Sequence, residues 1–290
     1  MDGSGGHHLA LPYHPTRRLH VLFSRANDRQ PHPEHDPPLD QIWDRLTQSN
    51  PTLFNARKFR LHALSHAPTY SNLHLGLTDY KTFQATHMPP HPVARLGRQH
   101  MALPLGNVIV VATRDESTLL LVRNRAVGEG KGALVFPGGH PEPDAMHPPP
   151  REGENARVLD ELFQGARREV LEELFLDDQH LPSVQEMRVL GIVERKGDAK
   201  PSMVFFARTA LTAGEVCATY QRGNVRQEET NAIIAKPLAF LRELAAGARL
   251  HGADPMPETV GAAQLWAQMR DWPSDTTQPA QQHATNAACC

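Results

Sequence analysis

The stretch FPGGHPEP (136–143), followed after a proline-rich segment by RREVLEEL (167–174), decides the fold. In the second piece Glu169, Glu172 and Glu173 are spaced i, i+3 and i+4, so a helix projects all three carboxylates from one face. Like charges at this spacing repel, and a divalent cation such as Mg2+, which prefers oxygen ligands, relieves the repulsion. A solvated acidic face is the alternative. The paired glycines of the first piece close a predicted strand and let the backbone approach a ligand or metal closely.

Patterns on either side of this stretch predict a sheet flanked by helices. Strand patterns occur in NVIVVAT (107–113), TLLLVRN (118–124), ALVF (133–136), RVLGIVER (188–195), SMVFFARTAL (202–211) and NAIIA (231–235). A long amphipathic helix is predicted from Val158 to Leu174, because apolar residues recur every four positions. PLAFLRELA (237–245) and TVGAAQLWAQM (259–269) predict two more helices. The implied fold class is α/β (α+β), with a mixed sheet.

The chain before residue 100 predicts a small mixed domain. Strands are expected near Val21, in FNARKFRLHAL (54–64) and at the start of NLHLGLTDYKTF (72–83), and Asp40 is expected to cap a short helix. Prolines in 87–98 predict a linker, because they lack an amide donor and restrict their neighbours. The expected organisation is an N-terminal β-rich domain and linker at 1–100, a second domain at 101–272 and a disordered polar tail at 273–290.

The bulk composition restricts the partners and the compartment. The 30 basic and 32 acidic side chains give a formal net charge of -2, so no positive excess is available to neutralise nucleic-acid phosphates. The N-terminus does not resemble a secretory signal, and no apolar run reaches bilayer length, so we expect neither export nor a membrane partner. The three cysteines have no disulfide or metal-ligand spacing, which favours a reducing, cytoplasmic location. The oligomeric state is unknown from this sequence.

The paired glycines and the acidic helix together resemble the Nudix box. That box is a glycine-led loop and a helix ending in Arg-Glu, an apolar residue, any residue, and Glu-Glu. The stretch from Arg168 to Glu173, REVLEE, matches this ending at every position.

Three features depart from the box. The loop between Gly139 and Arg168 holds a proline-rich insert of about 15 residues, at about 141–156. Asp160, with Glu161 beside it, stands where the separate box glutamate falls. Phe175 replaces the glycine that usually follows the paired glutamates, so we expect the helix to end without a glycine cap.

The resemblance narrows to one branch of the family. FPGGHPEP with its long insert, LFNARKFRLH (53–62) and LGLTDYKTF (75–83) resemble the uridine diphosphate glucose pyrophosphatases, over about residues 40 to 270. The resemblance implies a Nudix α/β/α sandwich and hydrolysis of UDP-glucose or UDP-galactose to UMP and hexose 1-phosphate. It also implies Mg2+, for which Mn2+ can substitute, and a small-molecule nucleotide sugar as partner.

The same resemblance assigns roles to the glutamates. Glu169 and Glu173 are expected to hold the metal, and Glu172 is a further ligand or supports them. The metal polarises the phosphates while a water attacks phosphorus, and a carboxylate takes the proton of that water. Glu173 is one candidate base and Glu228, in a predicted loop, is the other; a solvated loop acid is the alternative for Glu228.

Four residues are predicted to contact the substrate: Phe54, Tyr80, Arg123 and Gly139. Arg123 and Arg125 are two apart on one predicted strand and share a face, and by resemblance Arg123 binds the pyrophosphate. Phe54 and Tyr80 match aromatic positions of the branch, where a ring stacks on uracil and a hydroxyl bonds the nucleotide. A core position is the alternative for each ring.

Two further functions fit the sequence. A Nudix pyrophosphatase acting on ADP-ribose, a coenzyme A derivative or a dinucleoside polyphosphate would carry the same box. A catalytically silent nucleotide-binding module would account for Phe175 and the lengthened loop.

Overall fold

The computed structural model describes residues 6–14, 18–34, 36, 38–51, 53–67, 69–87, 96–125, 129–223 and 230–269. The strands in these segments are β1 His7–Leu11, β2 Arg18–Phe23, β3 Arg57–His66, β4 Tyr70–Asp79, β5 Gly106–Ala112, β6 Ser117–Arg123, β7 Leu134–Val135, β8 Arg188–Arg195, β9 Pro201–Arg208 and β10 Thr230–Pro237. The α-helices are α1 Leu39–Ser49, α2 Tyr80–His87, α3 Asn155–Glu173, α4 Ala213–Gly223, α5 Phe240–Ala245 and α6 Pro257–Gln268. In the described segments, no helix is both long and apolar enough to cross a membrane.

A seven-stranded mixed sheet forms the larger part of the fold. Its order is β1-β8-β9-β5-β6-β10, and β7 pairs with β6. The central strands β5 and β9 are parallel, whereas the other pairs are antiparallel. The six strands predicted after residue 100 all belong to this sheet. The sequence did not predict β1, because its five residues HHLAL are too short for a clear pattern, and pairing with β8 orders them.

Helices cover both faces of this sheet. On β5, Ile109 and Val111 pack in one core cluster with the apolar residues of α3. Val108 and Val110 point to the other face and pack with apolar residues of α5 and α6, as expected when side chains alternate along a strand. The expected α/β (α+β) class, an α/β/α sandwich with a mixed sheet, is confirmed.

A second, three-stranded sheet has the order β2-β4-β3. The strands β2 and β4 are parallel, and β3 and β4 are antiparallel. Its buried residues, among them Phe59 and Leu73, belong to the same core cluster as α3 and β5. The segment before residue 100 therefore contributes to both sheets, since β1 lies in the large one. The domain boundary at residue 100 stays a prediction.

The start of α1 corrects one detail. Pro38 holds the N-cap position with no side-chain hydrogen bond, and Asp40 lies in the first turn instead of capping it. Asp40 pairs with Lys81 at the start of α2, so it joins two helices. A carboxylate in the first turn also favours the positive end of the helix dipole.

The long helix α3 begins earlier than expected and, as expected, ends without a glycine cap. It starts at Asn155, three residues before the predicted Val158. At its end, Phe175 N–H donates to Glu172 O and Leu176 N–H donates to Leu171 O. Phe175 has a φ of 54°, so it adopts the left-handed conformation that usually requires glycine. The helix therefore closes with a Schellman motif in which phenylalanine replaces glycine.

The helix α4 was missed from the sequence, although a signal for it exists. Thr212 N–H donates to the Glu215 carboxylate at 2.7 Å, and Glu215 N–H donates to Thr212 Oγ1 at 3.3 Å. This reciprocal pair is a capping box, which Thr212-x-x-Glu215 spells out. The glycines at both ends weaken the helical pattern between them.

Candidate active site

A cavity of about 430 Å³ opens between the three-stranded sheet, α2 and the large sheet. Its wall includes Lys58 and Glu142 from the N-terminal sheet and the insert, with Tyr80, Phe83 and Gln84 from α2. The large sheet and its loops add Gly106, Asn107, Val108, Arg123, Glu129, Val135, Phe136, Gly138, Gly139, His140, Lys200 and Ser202. The helices add Glu169 and Glu172 from α3 and Met256, Glu258 and Thr259 from the start of α6. Of the predicted site residues, Tyr80, Arg123, Gly139, Glu169 and Glu172 lie together here.

The glycine loop is held by two of the predicted carboxylates. Glu173 Oε2 accepts a hydrogen bond from Gly138 N–H at 2.8 Å, and Glu169 Oε1 accepts one from His140 N–H at 3.0 Å. A Cβ on Gly139 would overlap the Glu169 carboxylate, and one on Gly138 would overlap Asn107 O. Gly138 therefore requires glycine because a backbone carbonyl approaches it closely, and a side chain at Gly139 would displace the Glu169 carboxylate. The paired glycines thus lie beside the acidic helix.

The three carboxylates are not arranged as a set of metal ligands. Glu172 is exposed at the cavity, and Glu173 faces the loop instead of lining the cavity. In the described residues, no three His, Cys, Asp or Glu side chains are grouped closely enough to hold a metal ion. Metal binding by this trio therefore stays a prediction.

The charge of the wall nevertheless fits a divalent cation. Five acidic residues line the cavity against three basic ones, Lys58, Arg123 and Lys200. An anionic pyrophosphate entering such a cavity meets net repulsion, which added positive charge would offset. The donors are carboxylate oxygens, which Mg2+ prefers to nitrogen or sulfur.

The box arginine, Arg168, pairs with Glu161 on its own helix. Arg168 donates to Glu161 Oε1 at 2.8 Å, and Glu161 is buried, whereas Asp160 is exposed. Glu161 also accepts from Glu142 N–H at 3.2 Å. The residue next to the expected box position thus ties α3 to the insert.

The insert at about 141–156 packs against the N-terminal sheet. Arg57 on β3 pairs with Asp144, and Lys58 lies 3.1 Å from Glu142. The Phe23 backbone donates to Asn155 Oδ1 at 2.8 Å and accepts from Gly153 N–H at 3.2 Å. The insert therefore joins the N-terminal sheet to α3 beside the cavity.

A buried charge network includes two residues of the cavity wall, Glu129 and Lys200. Glu129 accepts from Lys200 Nζ at 2.8 Å and from Arg195. Burial opposes ionisation of Glu129, but the charges of Lys200 and Arg195 hold its pKa well below the ordinary value. Arg195 also pairs with Asp198, which lies 3.3 Å from His87 Nδ1 at the end of α2. The network joins α2 to the β8–β9 hairpin.

Unpaired polar atoms concentrate at the cavity. Among the described residues, six buried side-chain polar atoms lack a hydrogen-bond partner, and four belong to cavity residues. They are both amide atoms of Asn107, Nε2 of His140 and Oε2 of Glu258. Burial, with the charges of Lys200 and Lys58, holds the pKa of His140 well below 6.5, which favours its neutral form. Native proteins rarely leave such groups unsatisfied, so their concentration here points to a bound polar ligand.

The remaining predicted residues lie elsewhere. Phe54 is 72% exposed and does not line the cavity. Arg125 lies beyond the end of β6 and is exposed, so only Arg123 of that pair reaches the cavity. Glu228 lies outside the described residues. The nucleotide-binding role of Phe54 and the base role of Glu228 stay predictions.

Several cavity residues were not singled out from the sequence. Asn107 carries the clearest signal, because it is a polar amide at the start of the otherwise apolar strand NVIVVA. Lys200, Glu129 and Glu258 come from separate segments with no shared motif, so only the tertiary fold brings them together.

Sequence comparisons with known proteins match this chain to one family. A family model described as the NUDIX domain matches residues 104–224. "Uridine diphosphate glucose pyrophosphatase NUDT22" of Homo sapiens is 33% identical over 239 residues, covering 76% of this chain and 78% of that protein. The Bos taurus protein of the same name is 32% identical, covering 76% and 81%. "Nudix hydrolase 9" of Arabidopsis thaliana is 31% identical, covering 73% and 76%.

With this fold and this match, the chain belongs to the Nudix hydrolase family and is a Nudix pyrophosphohydrolase. The paired glycines and the helix carboxylates that hold their loop lie within the residues that the family model matches. Within the family, it falls in the branch of the uridine diphosphate glucose pyrophosphatases.

Proposed function

We propose that the protein hydrolyses UDP-glucose or UDP-galactose to UMP and hexose 1-phosphate, with Mg2+ as cofactor and Mn2+ as a substitute. The observation that carries the proposal is the cavity itself, which Glu169 and Glu172 line together with the unpaired polar atoms of Asn107, His140 and Glu258. The relatives named as uridine diphosphate glucose pyrophosphatases support the choice of substrate. In the reaction the oxygen of water bonds to one phosphorus while the bond from that phosphorus to the bridging oxygen breaks.

The cation would be held by Glu169 and Glu173, with Glu172 as a further ligand or support. When bound, it would supply Lewis-acid polarisation of the phosphates and lower the pKa of water. The chain's own residues then position the substrate. Arg123, whose Nε donates to Glu129 O at 3.0 Å, offers the rest of its guanidinium to the pyrophosphate.

Proton transfer falls to a carboxylate. Glu173 and Glu228 remain the candidates, and a base must lie within hydrogen-bond reach of the attacking water. Tyr80 lines the cavity beside Phe83, which supports its proposed contact with the nucleotide. Phe54, exposed outside the cavity, is proposed to stack on the uracil.

The end of α3 favours an active enzyme over a silent binding module. Phe175 closes the helix by the hydrogen bonds that glycine would allow, so its replacement of glycine leaves the helix carrying Glu172 and Glu173 intact. The loop lengthened by the insert still brings Gly138 and His140 to the carboxylates.

A substrate panel tests the proposal. UDP-glucose, UDP-galactose, ADP-ribose, a coenzyme A derivative and a dinucleoside polyphosphate would be ranked by kcat/KM, with Mg2+ and with EDTA. We expect a UDP-hexose to rank first and EDTA to abolish turnover. A higher kcat/KM for another substrate would reassign the substrate. A rise in Tm with UDP, without turnover of any substrate, would indicate the silent module.

A further inference from the structure

Lys200 is an unusual residue to find in the wall of this cavity. Its side chain is only 7% exposed, and its ammonium group lies 2.8 Å from Glu129 Oε2 and 5.0 Å from the centre of the Phe83 ring. In the described part of the chain, Glu129 is the one side chain that accepts a hydrogen bond from this ammonium group. Since a lysine ammonium has three donors, the others are available to a group in the cavity.

Glu129 also orients the second cation of this wall. Its backbone carbonyl accepts from Arg123 Nε at 3.0 Å, while its carboxylate holds Lys200. Arg123 lies at the end of β6 and Lys200 just before β9, so neither strand alone brings the two cations together. One residue therefore fixes a guanidinium and an ammonium group that line the same cavity.

The surrounding charges suit this arrangement. Lys200 and Arg195 are offset by Glu129 and Asp198, which makes a buried lysine tolerable. A buried ion pair adds little stability by itself, because desolvation consumes most of the attraction. Stability alone therefore does not explain why a lysine and its partner Glu129 occupy these positions.

We infer that Lys200 and Arg123 form a clamp for the two phosphates of a nucleoside diphosphate derivative, and that Glu129 is the positioning residue that orients both. The inference rests on the proposed pyrophosphatase activity. Lys200 donates to phosphate oxygens from the position just before β9 and Arg123 from the end of β6, so the diphosphate is held before hydrolysis.

The test compares Lys200→Met, Glu129→Gln and the double variant with wild type, using UDP-glucose and Mg2+. Lys200→Met should fold, because Arg195 still pairs with the Glu129 carboxylate. We expect it to raise KM by about 10- to 100-fold, the effect of losing one charge-assisted hydrogen bond, with a smaller change in kcat. UDP should bind more weakly by a similar factor in calorimetry.

Glu129→Gln tests the positioning role. It leaves the backbone carbonyl that holds Arg123 unchanged, and Arg195 keeps Asp198 as a partner, so its effect on substrate binding should pass through Lys200. We expect KM to rise roughly 10-fold, and the double variant to be no worse than Lys200→Met because the two residues act as one unit. A purely structural role would instead lower Tm and give additive effects.

Lys236→Met is the matched control. Lys236 also lies over a phenylalanine ring, 6.0 Å from the centre of Phe240, but does not line the cavity. Its KM should equal that of wild type. Wild-type kinetics in Lys200→Met, or additive losses in the double variant, would overturn the clamp. If wild type and Lys236→Met both fail to turn over UDP-glucose, the proposed function fails, and UDP binding then tests the clamp alone. Unchanged UDP binding in Lys200→Met would overturn the clamp. Weaker UDP binding in Lys200→Met would support it.

Discussion

Two carboxylates of the cavity, Glu169 and Glu172, come from a single helix and are called the acidic wall below. The basic wall is Arg123 and Lys200 with Glu129, which holds both, and these residues come from three segments. Helical spacing alone sets the acidic wall, since residues three and four apart share a face. The basic wall exists only because ion pairs and hydrogen bonds connect β6, the following loop and the β8–β9 hairpin. Substituting one residue of the acidic wall should therefore leave the position of the other unchanged. Substituting one residue of the basic wall should change the positions of the residues bonded to it.

The largest expected effect is on the acidic side. Glu173→Gln keeps an oxygen that can accept from Gly138 N–H, so the fold should be retained, but it removes the charge of a proposed metal ligand. We expect kcat to fall about 10³-fold, corresponding to the several kcal/mol that a catalytic metal supplies. Asp160→Asn, on the same helix but exposed, is the control and should keep wild-type kcat. Wild-type turnover in Glu173→Gln would remove Glu173 from the site.

A second prediction concerns Asn107, which also lines the cavity. Asn107 is 3% exposed, and neither amide atom has a partner among the described residues. Asn107→Leu should stabilise the fold by about 1–3 kcal/mol, because it removes unsatisfied buried polar groups. It should also lower kcat/KM by about 10-fold or more if the amide binds substrate. Thermal unfolding and kinetics would be measured together. A fall in both stability and activity would mean that Asn107 is structural.

A smaller effect tests the network behind the basic wall. Burial opposes ionisation of Asp198, but the hydrogen bond from His87 and the charge of Arg195 lower its pKa to about 2. Because this is below the unfolded value of about 3.9, Asp198 stabilises the fold above about pH 4 and loses this contribution as the pH falls to about 2. Asp198→Asn should lower Tm by roughly 2–6 °C at pH 6. The difference should shrink towards pH 2.5, and a constant difference would contradict the assignment.

The smallest effect lies at the end of the acidic helix. Phe175→Gly removes the cost of a left-handed phenylalanine, about 1–2 kcal/mol, but loses the edge contact with Tyr220, whose ring centre is 6.0 Å away. The two changes nearly cancel. Phe175→Ala loses the contact and keeps the backbone cost, so it should be less stable than Phe175→Gly by about 1 kcal/mol. Equal stability of the two variants in urea unfolding would show that the conformation carries no cost.

The parts predictable from the sequence are those encoded locally. The spacing of Glu169, Glu172 and Glu173, the paired glycines and the strands of the large sheet all follow from short patterns. Strand β1 was missed because pairing with β8, which lies far away in the sequence, orders it. The pairing of Lys200 with Glu129 was not predicted for the same reason, since 71 residues separate them in sequence.

The most direct test of the central claim is phosphorus NMR of UDP-glucose incubated with the protein. With Mg2+, we expect the two resonances of the diphosphate to be replaced by two phosphomonoester resonances, those of UMP and glucose 1-phosphate, and EDTA should prevent the change. Diphosphate resonances that persist with Mg2+ would contradict the proposal that this cavity hydrolyses UDP-glucose.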